Sequence, residues 1–509
     1  MEFYNILKQI CFLIAGDWRL FLFITTLITL YFYFTSTFDY FKKKGIPYMK
    51  PVFLFGNIGP WVMATKSFHQ LQLEIYEYFK GKPFGGIFHG RKPVLYIFDP
   101  DLIKAVTIRD FDYFTDRLTL NSKEPIYIRR FLLNLKGSTW KSVRRTMTPA
   151  FSSARLKSVL PLIQICAKQM VEFLKEYEYQ EVEMKKTMGH FTLEVIGACA
   201  FGIKCDALNS ERSHFLQVAE KFDCVPTHRR MLMWFVMIFM PEMLPYCKVS
   251  LLNLDSTDEL MRMLKAVKEE RQSNNTKHND FLQILIDFAS KEKIEIEESE
   301  LDADTLDGQC MLFLIAGYET SSTLLAFAIH VLATKPDIQE KLRNHIKEMT
   351  EGKEITYDLI SELSYLDGFL LETLRVYPPV ARIDKLCTKP YKIPGSSVTL
   401  KAGDAVVIPV NGIHMDPNIY PDPHLFRPER FMNEEKIKRP SHLFLSFSVG
   451  PRNCIGLRFA LLSAKVAMIA LMKNFKFTAC AKTVDPIPLD KTALLIKSEA
   501  GVWARVESL

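Results

Sequence analysis

The sequence predicts a mainly α protein with small β-sheets, folded as one large domain behind an N-terminal membrane helix. Three observations carry that prediction. Helical periodicity dominates from about residue 101 to about 375, with neither an internal repeat nor a low-complexity linker beyond residue 60. After Tyr377 the chain turns into short β-like runs broken by Pro and Gly. Near the start, Leu20–Phe34 (LFLFITTLITLYFYF) carries no charge. A length of 509 residues would allow about three domains at ~150 residues each. Helices with small peripheral sheets and no long linker argue for one.

The apolar run, extended through Phe38, reaches the roughly 20 residues that a spanning helix needs. Lys42, Lys43 and Lys44 follow it, whereas Glu2, Lys8, Asp17 and Arg19 leave the leading flank near neutral. The positive-inside rule then places the remainder in the cytosol. A cleaved signal peptide has a basic start and a small-residue cleavage site, and Ser36 offers a poor one. Residues 1–40 therefore read as an uncleaved signal-anchor. GIPYMKPVFLFGNIGP follows, with Pro47, Pro51 and Pro60 making 41–60 a stiff, non-helical arm. The body is expected over 61–509.

Within the body, Phe84–Pro100 reads as a hairpin, and Pro100-Asp101 opens a helical stretch. Helices are expected at Ala154–Tyr177, Thr187–Phe201, Thr257–Glu270, Asp280–Ser290, Asp304–Ala333 and Pro336–Met349, with Glu295–Glu300 an acidic connector. Strands are expected at Tyr391–Pro394, Ser397–Leu400 and Ala405–Pro409. A last helix follows Gly456, and a hairpin begins at Ala479.

Composition narrows the function. Hydrophobic residues at 48% and charged residues at 24% exclude a disordered or fibrous chain. A net charge of +7, from 65 basic against 58 acidic residues, is too thin to indicate a nucleic-acid binder. Ten cysteines without a CxxC pair suit a reducing compartment and unpaired thiols.

One cysteine stands apart. In FSVGPRNCIGLRFA, Phe447–Ala460, Cys454 lies at a helix N-terminus, where backbone N–H groups stabilise a thiolate. Gly450 and Gly456 would let a large flat group approach the backbone, Phe447 would shield the sulfur and Arg452 supplies a cation. A lone cysteine is ordinarily an inert buried thiol; this constellation is far more specific. The segment resembles the cytochrome P450 family of haem-thiolate monooxygenases, whose loop has the pattern F-x-x-G-x-R-x-C-x-G. Phe447, Gly450, Arg452, Cys454 and Gly456 match every fixed position. The resemblance implies a P450-fold haem domain with haem b (iron protoporphyrin IX) and Cys454 as axial iron ligand.

A second signal lies in MLFLIAGYETSSTLLAFAIHVLA, residues 311–333. Phe313, Ala316 and Thr320 fall on one helix face, Gly317 thins the helix beside them, and Glu319 and Thr320 break an apolar run. Read alone, this is a ligand-facing break, a membrane span interrupted by Glu319, or a threonine bonding its i−4 carbonyl. Ala316-Gly317-Tyr318-Glu319-Thr320-Ser321 also resembles the family's oxygen-binding signature. By that resemblance Thr320 and Glu319 relay protons, while Phe313 and Ala316 line the substrate side.

Glu372 and Arg375 in LLETLRVYPP have ion-pair spacing, and FRPERF supplies Arg430. These resemble the family's structural triad that holds the cysteine loop. Trp140 and Arg144 match the family's W-x-x-x-R, which contacts the haem propionates, and Arg117 and Arg452 are further candidates by similarity. Lys385 departs from the pattern, standing where microsomal members often carry another propionate-binding Arg; lysine keeps the charge and loses the fork.

The resemblance runs from Phe111 to Ala460 and looks closest to insect-type members that oxidise xenobiotics. It implies insertion of one oxygen atom of O2 into lipophilic small molecules, either xenobiotics or endogenous lipids, steroids or hormones. No Rossmann fingerprint or P-loop occurs, so electrons come from a partner: NADPH–cytochrome P450 reductase by resemblance, with cytochrome b5 as a second donor, at the endoplasmic reticulum membrane. Lys141 and Arg145 are docking candidates or simply a solvated helix face. Two rival readings remain, a reductase-independent haem-thiolate isomerase or dehydratase acting on peroxides, and a non-catalytic, membrane-tethered haem- or ligand-sequestering protein. Intact Thr320 argues against the first. Pocket segments are expected at Leu118–Leu135, Val218–Asn253, Phe313–Thr320, Val380–Ile383 (with Val380 and Ala381) and near Leu489–Lys497. The Met- and aromatic-rich part of Val218–Asn253 reads equally as access channel, membrane patch or core.

Overall fold

The computed structural model describes residues 18–119, 122–208, 213–222, 224–274, 280–287 and 303–509. The principal helices are α1 (Trp18–Thr35), α2 (Phe68–Tyr78), α3 (Gly137–Met147), α4 (Ser153–Lys175), α5 (Met184–Ile196), α6 (Thr227–Phe239), α7 (Leu254–Asn274), α8 (Ala303–Thr334), α9 (Pro336–Thr350), α10 (Ser364–Val376) and α11 (Leu457–Asn474). Their ends follow local chemistry. Ser67 and Gln70 form a reciprocal capping box at α2, and the Glu183 carboxylate accepts from the N–H groups of Lys185 and Lys186 to start α5. The acidic connector Glu295–Glu300 and the end of the expected helix Asp280–Ser290 lie outside the described residues.

The strands are β1 (Phe84–His89), β2 (Lys92–Ile97), β3 (Glu181–Glu183), β4 (Arg382–Leu386), β5 (Tyr391–Lys392), β6 (Thr399–Leu400), β7 (Ala405–Pro409), β8 (Phe475–Thr478) and β9 (Trp503–Ser508). They form a four-stranded sheet ordered β1-β2-β7-β4, a three-stranded sheet β3-β9-β8 and the pair β5-β6. β1 and β2 are the expected hairpin. The tail turns back with Leu489 opposite Ser498, and β9 then pairs β8. β4 was not expected from the sequence. Its charged residues mask the alternating pattern, although Lys385 is fully buried.

α8 is about 48 Å long at 1.5 Å per residue. Two thirds of its most apolar window is buried, so it is a core helix rather than the interrupted membrane span considered above. Leu324–Ala333 pack with α4, α5, α10 and α11 in one cluster, while Met311 and Leu314 belong to a second around residues 127–147. A third cluster backs the four-stranded sheet and takes in Ile46 and Ile58 from the arm. In contrast, α1 exposes nearly everything except Phe34.

Candidate active site

Phe447–Gly456 leads into α11 as an irregular loop closed by two main-chain bonds, Cys454 N to Phe447 O at 2.8 Å and Asn453 N to Gly450 O at 3.0 Å. Gly450 has φ +78°, and a Cβ there would lie 1.9 Å from the Thr107 carbonyl oxygen, so only glycine fits. Thr107 sits in a π-helical turn, Ala105–Arg109, which presses on the loop. The Cys454 side chain is exposed, yet the surrounding protein raises its thiol pKa by desolvation, opposed by the N–H of Gly456, by Arg144 and Arg117, and by the N–H of Leu457. An exposed sulfur in desolvating surroundings lies in an internal cleft.

Beneath the loop, Glu372, Arg375 and Arg430 form one buried cluster. Arg375 forks onto Glu372 at 2.7 and 2.8 Å and donates to the carbonyls of His414 and Pro423, both at 2.8 Å. Arg430 reaches Glu372 at 3.3 Å and the carbonyls of Asp422 and Leu425 at 2.6 and 3.2 Å. His414 joins this cluster to the loop. Its Nδ1–H donates to Arg375 O at 3.1 Å, while its Nε2 accepts from Leu445 N at 2.9 Å. That pair of bonds fixes the neutral tautomer, and burial together with Arg375 lowers its pKa to about 3.

Beside the loop lies a cationic cluster. Arg452 stands 4.3 Å over the Trp140 ring, donates to Leu135 O at 2.6 Å and has Asp116 at 3.7 Å. Arg117 donates to Arg452 O at 2.9 Å. Among the described residues, Nε of Arg117, Nε and Nη1 of Arg452, and Nζ of Lys385 are buried without a hydrogen-bond partner. Burial and the repulsion of Arg117 and Arg452 lower Lys385 to about 7, and burial and Arg117 lower Arg452 to about 9. Uncompensated buried cations are costly, so this arrangement suits carboxylates. Arg144 is placed differently: its two terminal nitrogens bond Asn453 O and Oδ1, each at 2.8 Å, so it braces the residue preceding Cys454.

On α8, Ala316 is exposed although it lies in the middle of a mostly buried helix, and Phe313 and Thr320 are half-buried on the same face. This face therefore borders a cleft. Thr320 Oγ1 donates to Ala316 O at 2.6 Å, the local bond weighed above, while remaining on that face. Phe313 stacks on Phe151 at 5.1 Å and meets Phe281 at 3.9 Å. A Cβ on Gly456 would stand 3.9 Å from the Phe151 ring, so Phe151 lies near the cysteine loop while stacking on the cleft face of α8. The space beside Gly317 is filled by Ile196 of α5, 2.7 Å from where a Cβ would sit. Thus Gly317 serves helix packing there. Glu319 turns toward α5 and pairs with Lys185 Nζ at 2.9 Å, which also donates to Ser322 Oγ at 2.6 Å.

Of the outer segments, Val380 is exposed and pairs with Leu495 across an isolated antiparallel bridge, bringing the tail beside the chain that leads into β4. Ala381 is fully buried in the sheet core and offers a cleft no surface. α6 exposes Met231, Leu232 and Phe235 while burying Met233, Val236 and Ile238, so it combines surface patch and core. Its end meets α1, where Phe34 packs on Phe239 at 5.3 Å and Tyr33 donates to Glu242 at 3.2 Å. Lys141 and Arg145 are exposed on α3.

Sequence reasoning did not find Asn453, His414, Lys185 or Phe151. Each acts through a partner distant in sequence, and no motif spacing announces it.

A family model described as Cytochrome P450 matches residues 46–504. The chain is 35% identical to Cytochrome P450 9e2 of Blattella germanica over 502 residues, covering 92% of this chain and 94% of that one. It is 34% identical to Probable cytochrome P450 6a18 of Drosophila melanogaster, covering 92% and 95%. Identity to Cytochrome P450 6a8 of the same fly is 32%, covering 96% and 98%.

Proposed function

The chain belongs to the cytochrome P450 family of haem-iron monooxygenases, and on that premise we propose that Cys454 is the axial iron ligand of a microsomal enzyme oxidising lipophilic small molecules. The observation that carries this reading is the cluster of Arg117, Arg452 and Lys385, in which Nε of Arg117, Nε and Nη1 of Arg452 and Nζ of Lys385 are buried without a hydrogen-bond partner among the described residues, beside a cysteine both exposed and desolvated. These residues fit haem b. Two propionates would meet the free guanidinium donors of Arg117 and Arg452 and the point charge of Lys385, with Trp140 supporting Arg452. Phe447 and Gly456 would border the macrocycle, with Gly450 fitting the loop against Thr107, and Ala316 would approach it from α8, where the neighbouring Gly317 lets Ile196 pack close. Bound haem iron supplies oxygen activation and transfer of one oxygen atom to substrate.

The chain's own residues do the rest. Glu372, Arg375 and Arg430 hold the cysteine loop rigid, and Arg144 braces it through Asn453. Thr320 passes protons at Oγ1 into the cleft, exchanging its bond to the Ala316 carbonyl for one to water. Glu319 is the next member of the relay, with Lys185 as its counter-ion. Phe313, Ala316 and Val380 contact substrate and exclude bulk water.

Electrons come from NADPH–cytochrome P450 reductase, with cytochrome b5 as a second donor, docking near the exposed Lys141 and Arg145. Residues 1–40 anchor the protein in the endoplasmic reticulum membrane, 41–60 form the arm and 61–509 the cytosolic haem domain. The exposed apolar α1 and the patch on α6 support that placement. A reduced, CO-bound spectrum of purified protein tests the central assignment. The red-shifted thiolate band is expected in wild type and absent in Cys454→Ser; folded, haem-replete wild type without it overturns the reading.

A further inference from the structure

Gln309 is fully buried in the first half of α8, and its amide is wholly engaged. Oε1 accepts from Leu132 N at 2.9 Å, and Nε2 donates to Arg130 O at 2.6 Å and to Thr305 O at 2.7 Å. Two of these bonds go to the main chain of an irregular segment about 180 positions away in sequence. The amide thus treats that segment as a neighbouring strand would, giving one donor and one acceptor.

The helix makes room for this contact one residue earlier. At Gly308 a Cβ would lie 2.6 Å from Tyr127 O, so the segment rests directly on the helix backbone. Within the segment, Asn134 Nδ2 donates to Ile128 O at 2.9 Å, and Phe131, Leu132 and Leu135 bury their side chains in the cluster that includes Met311 and Leu314. Residues 127–135 therefore form a packed strut. Its far end carries Leu135, whose carbonyl accepts the buried bond from Arg452 Nη2 at 2.6 Å. The same guanidinium keeps Nε and Nη1 free of partners among the described residues. Its remaining restraints are Asp116 at 3.7 Å and the Trp140 ring.

We propose that Gln309 is a positioning residue for the cofactor site: through the strut 127–135 it sets the place of Leu135 O and thereby aims the Arg452 guanidinium at a haem propionate. This rests on the haem assignment above. Sequence proximity does not link Gln309 with Arg452, and the bonds described form a continuous path between them. A buried amide removed from such a path takes away the acceptor of Leu132 N and one donor to Arg130 O, so the segment shifts. Arg452 then loses its one short carbonyl contact.

The test measures haem loss, by transfer from the haem-loaded full-length protein to an excess of a haem-scavenging apoprotein. Gln309→Leu is expected to accelerate transfer about tenfold, the effect of losing roughly one buried hydrogen bond's net contribution. Gln309→Glu keeps an acceptor for Leu132 N but sets a buried carboxylate against the carbonyls of Arg130 and Thr305, so its rate should equal or exceed that of Gln309→Leu. In an Arg452→Gln background the Gln309→Leu effect should largely vanish, because the two act along one path. Equal fold-changes in both backgrounds overturn the proposal, since a merely structural glutamine would weaken haem retention independently of Arg452. Unchanged transfer in Gln309→Leu overturns it as well. If Gln309→Leu does not fold, the Gln309→Glu rates in the two backgrounds decide by the same criterion. Failure of the haem assignment itself appears differently, as wild-type protein lacking the thiolate CO band.

Discussion

Arg375 grips both oxygens of Glu372, at 2.7 and 2.8 Å, with neither side chain reaching solvent. A second cation, Arg430, shares the same carboxylate. Breaking a buried ionic cluster by removing one partner costs about 3–5 kcal/mol. Glu372→Gln leaves two buried guanidinium groups facing a neutral amide. Expression of that variant should yield little haem-loaded protein and a lowered Tm. Comparing the CO-band amplitude per mole of chain with wild type checks this, and a wild-type ratio would refute it.

Thr320→Ala removes the hydroxyl from the open face of α8 and leaves the helix intact, because its bond to Ala316 O is a local one. Stability should change by less than about 1 kcal/mol. Coupling should suffer instead: NADPH consumption continues while product per NADPH falls severalfold and peroxide rises. Unchanged coupling removes Thr320 from the proton path.

Lys385→Met deletes the charge proposed to meet a propionate, whereas Lys385→Arg keeps it and adds a fork. Haem transfer to a scavenging apoprotein should quicken severalfold in the methionine variant, about tenfold if one charge-assisted bond is lost. The arginine variant should hold haem at least as well as wild type. Identical rates in all three would place Lys385 outside the propionate contacts.

Acid should weaken the fold through buried neutral histidines. Burial lowers His69 to about 4, and burial with Arg375 lowers His414 to about 3, against an ordinary value of 6.5. Their contribution is complete above pH 6.5 and declines as pH falls toward the folded values, because the unfolded chain takes up the protons first. At pH 5 each costs about 2 kcal/mol relative to neutral pH. His69 Nε2 donates to Pro378 O at 3.0 Å, a bond that a glutamine can imitate without titrating. His69→Gln should therefore show a flatter decline of Tm between pH 7 and 5; an unchanged slope would exclude His69 as a contributor.

What could be read from the sequence was whatever fixed spacing encodes. Cys454 with its flanking glycines, the polar break at Glu319 and Thr320, and the Glu372–Arg375 pair all sit in short motifs on regular elements. Long periodic helices such as α8 were legible to within a residue at each end. The unread part is long-range. Lys185 meets Glu319 across 134 positions and Arg144 meets Asn453 across 309. Strand β4 hides because Lys385 is buried by tertiary packing where a lysine pattern signals solvent.

Phe151 has a further consequence. Its ring lies against Phe313 and also beside Gly456, two residues past the sulfur. A mutation at Phe313 that moves the Phe151 ring is therefore felt at the Cys454 loop as well. Val380 and Leu495, joined to one another by their main chains, stand free of that stack. On the proposed assignment of Phe313 and Val380 to the substrate side, a change at Val380 or Leu495 disturbs no aromatic stack whereas a change at Phe313 does, so closely related enzymes should differ at Val380 and Leu495 first.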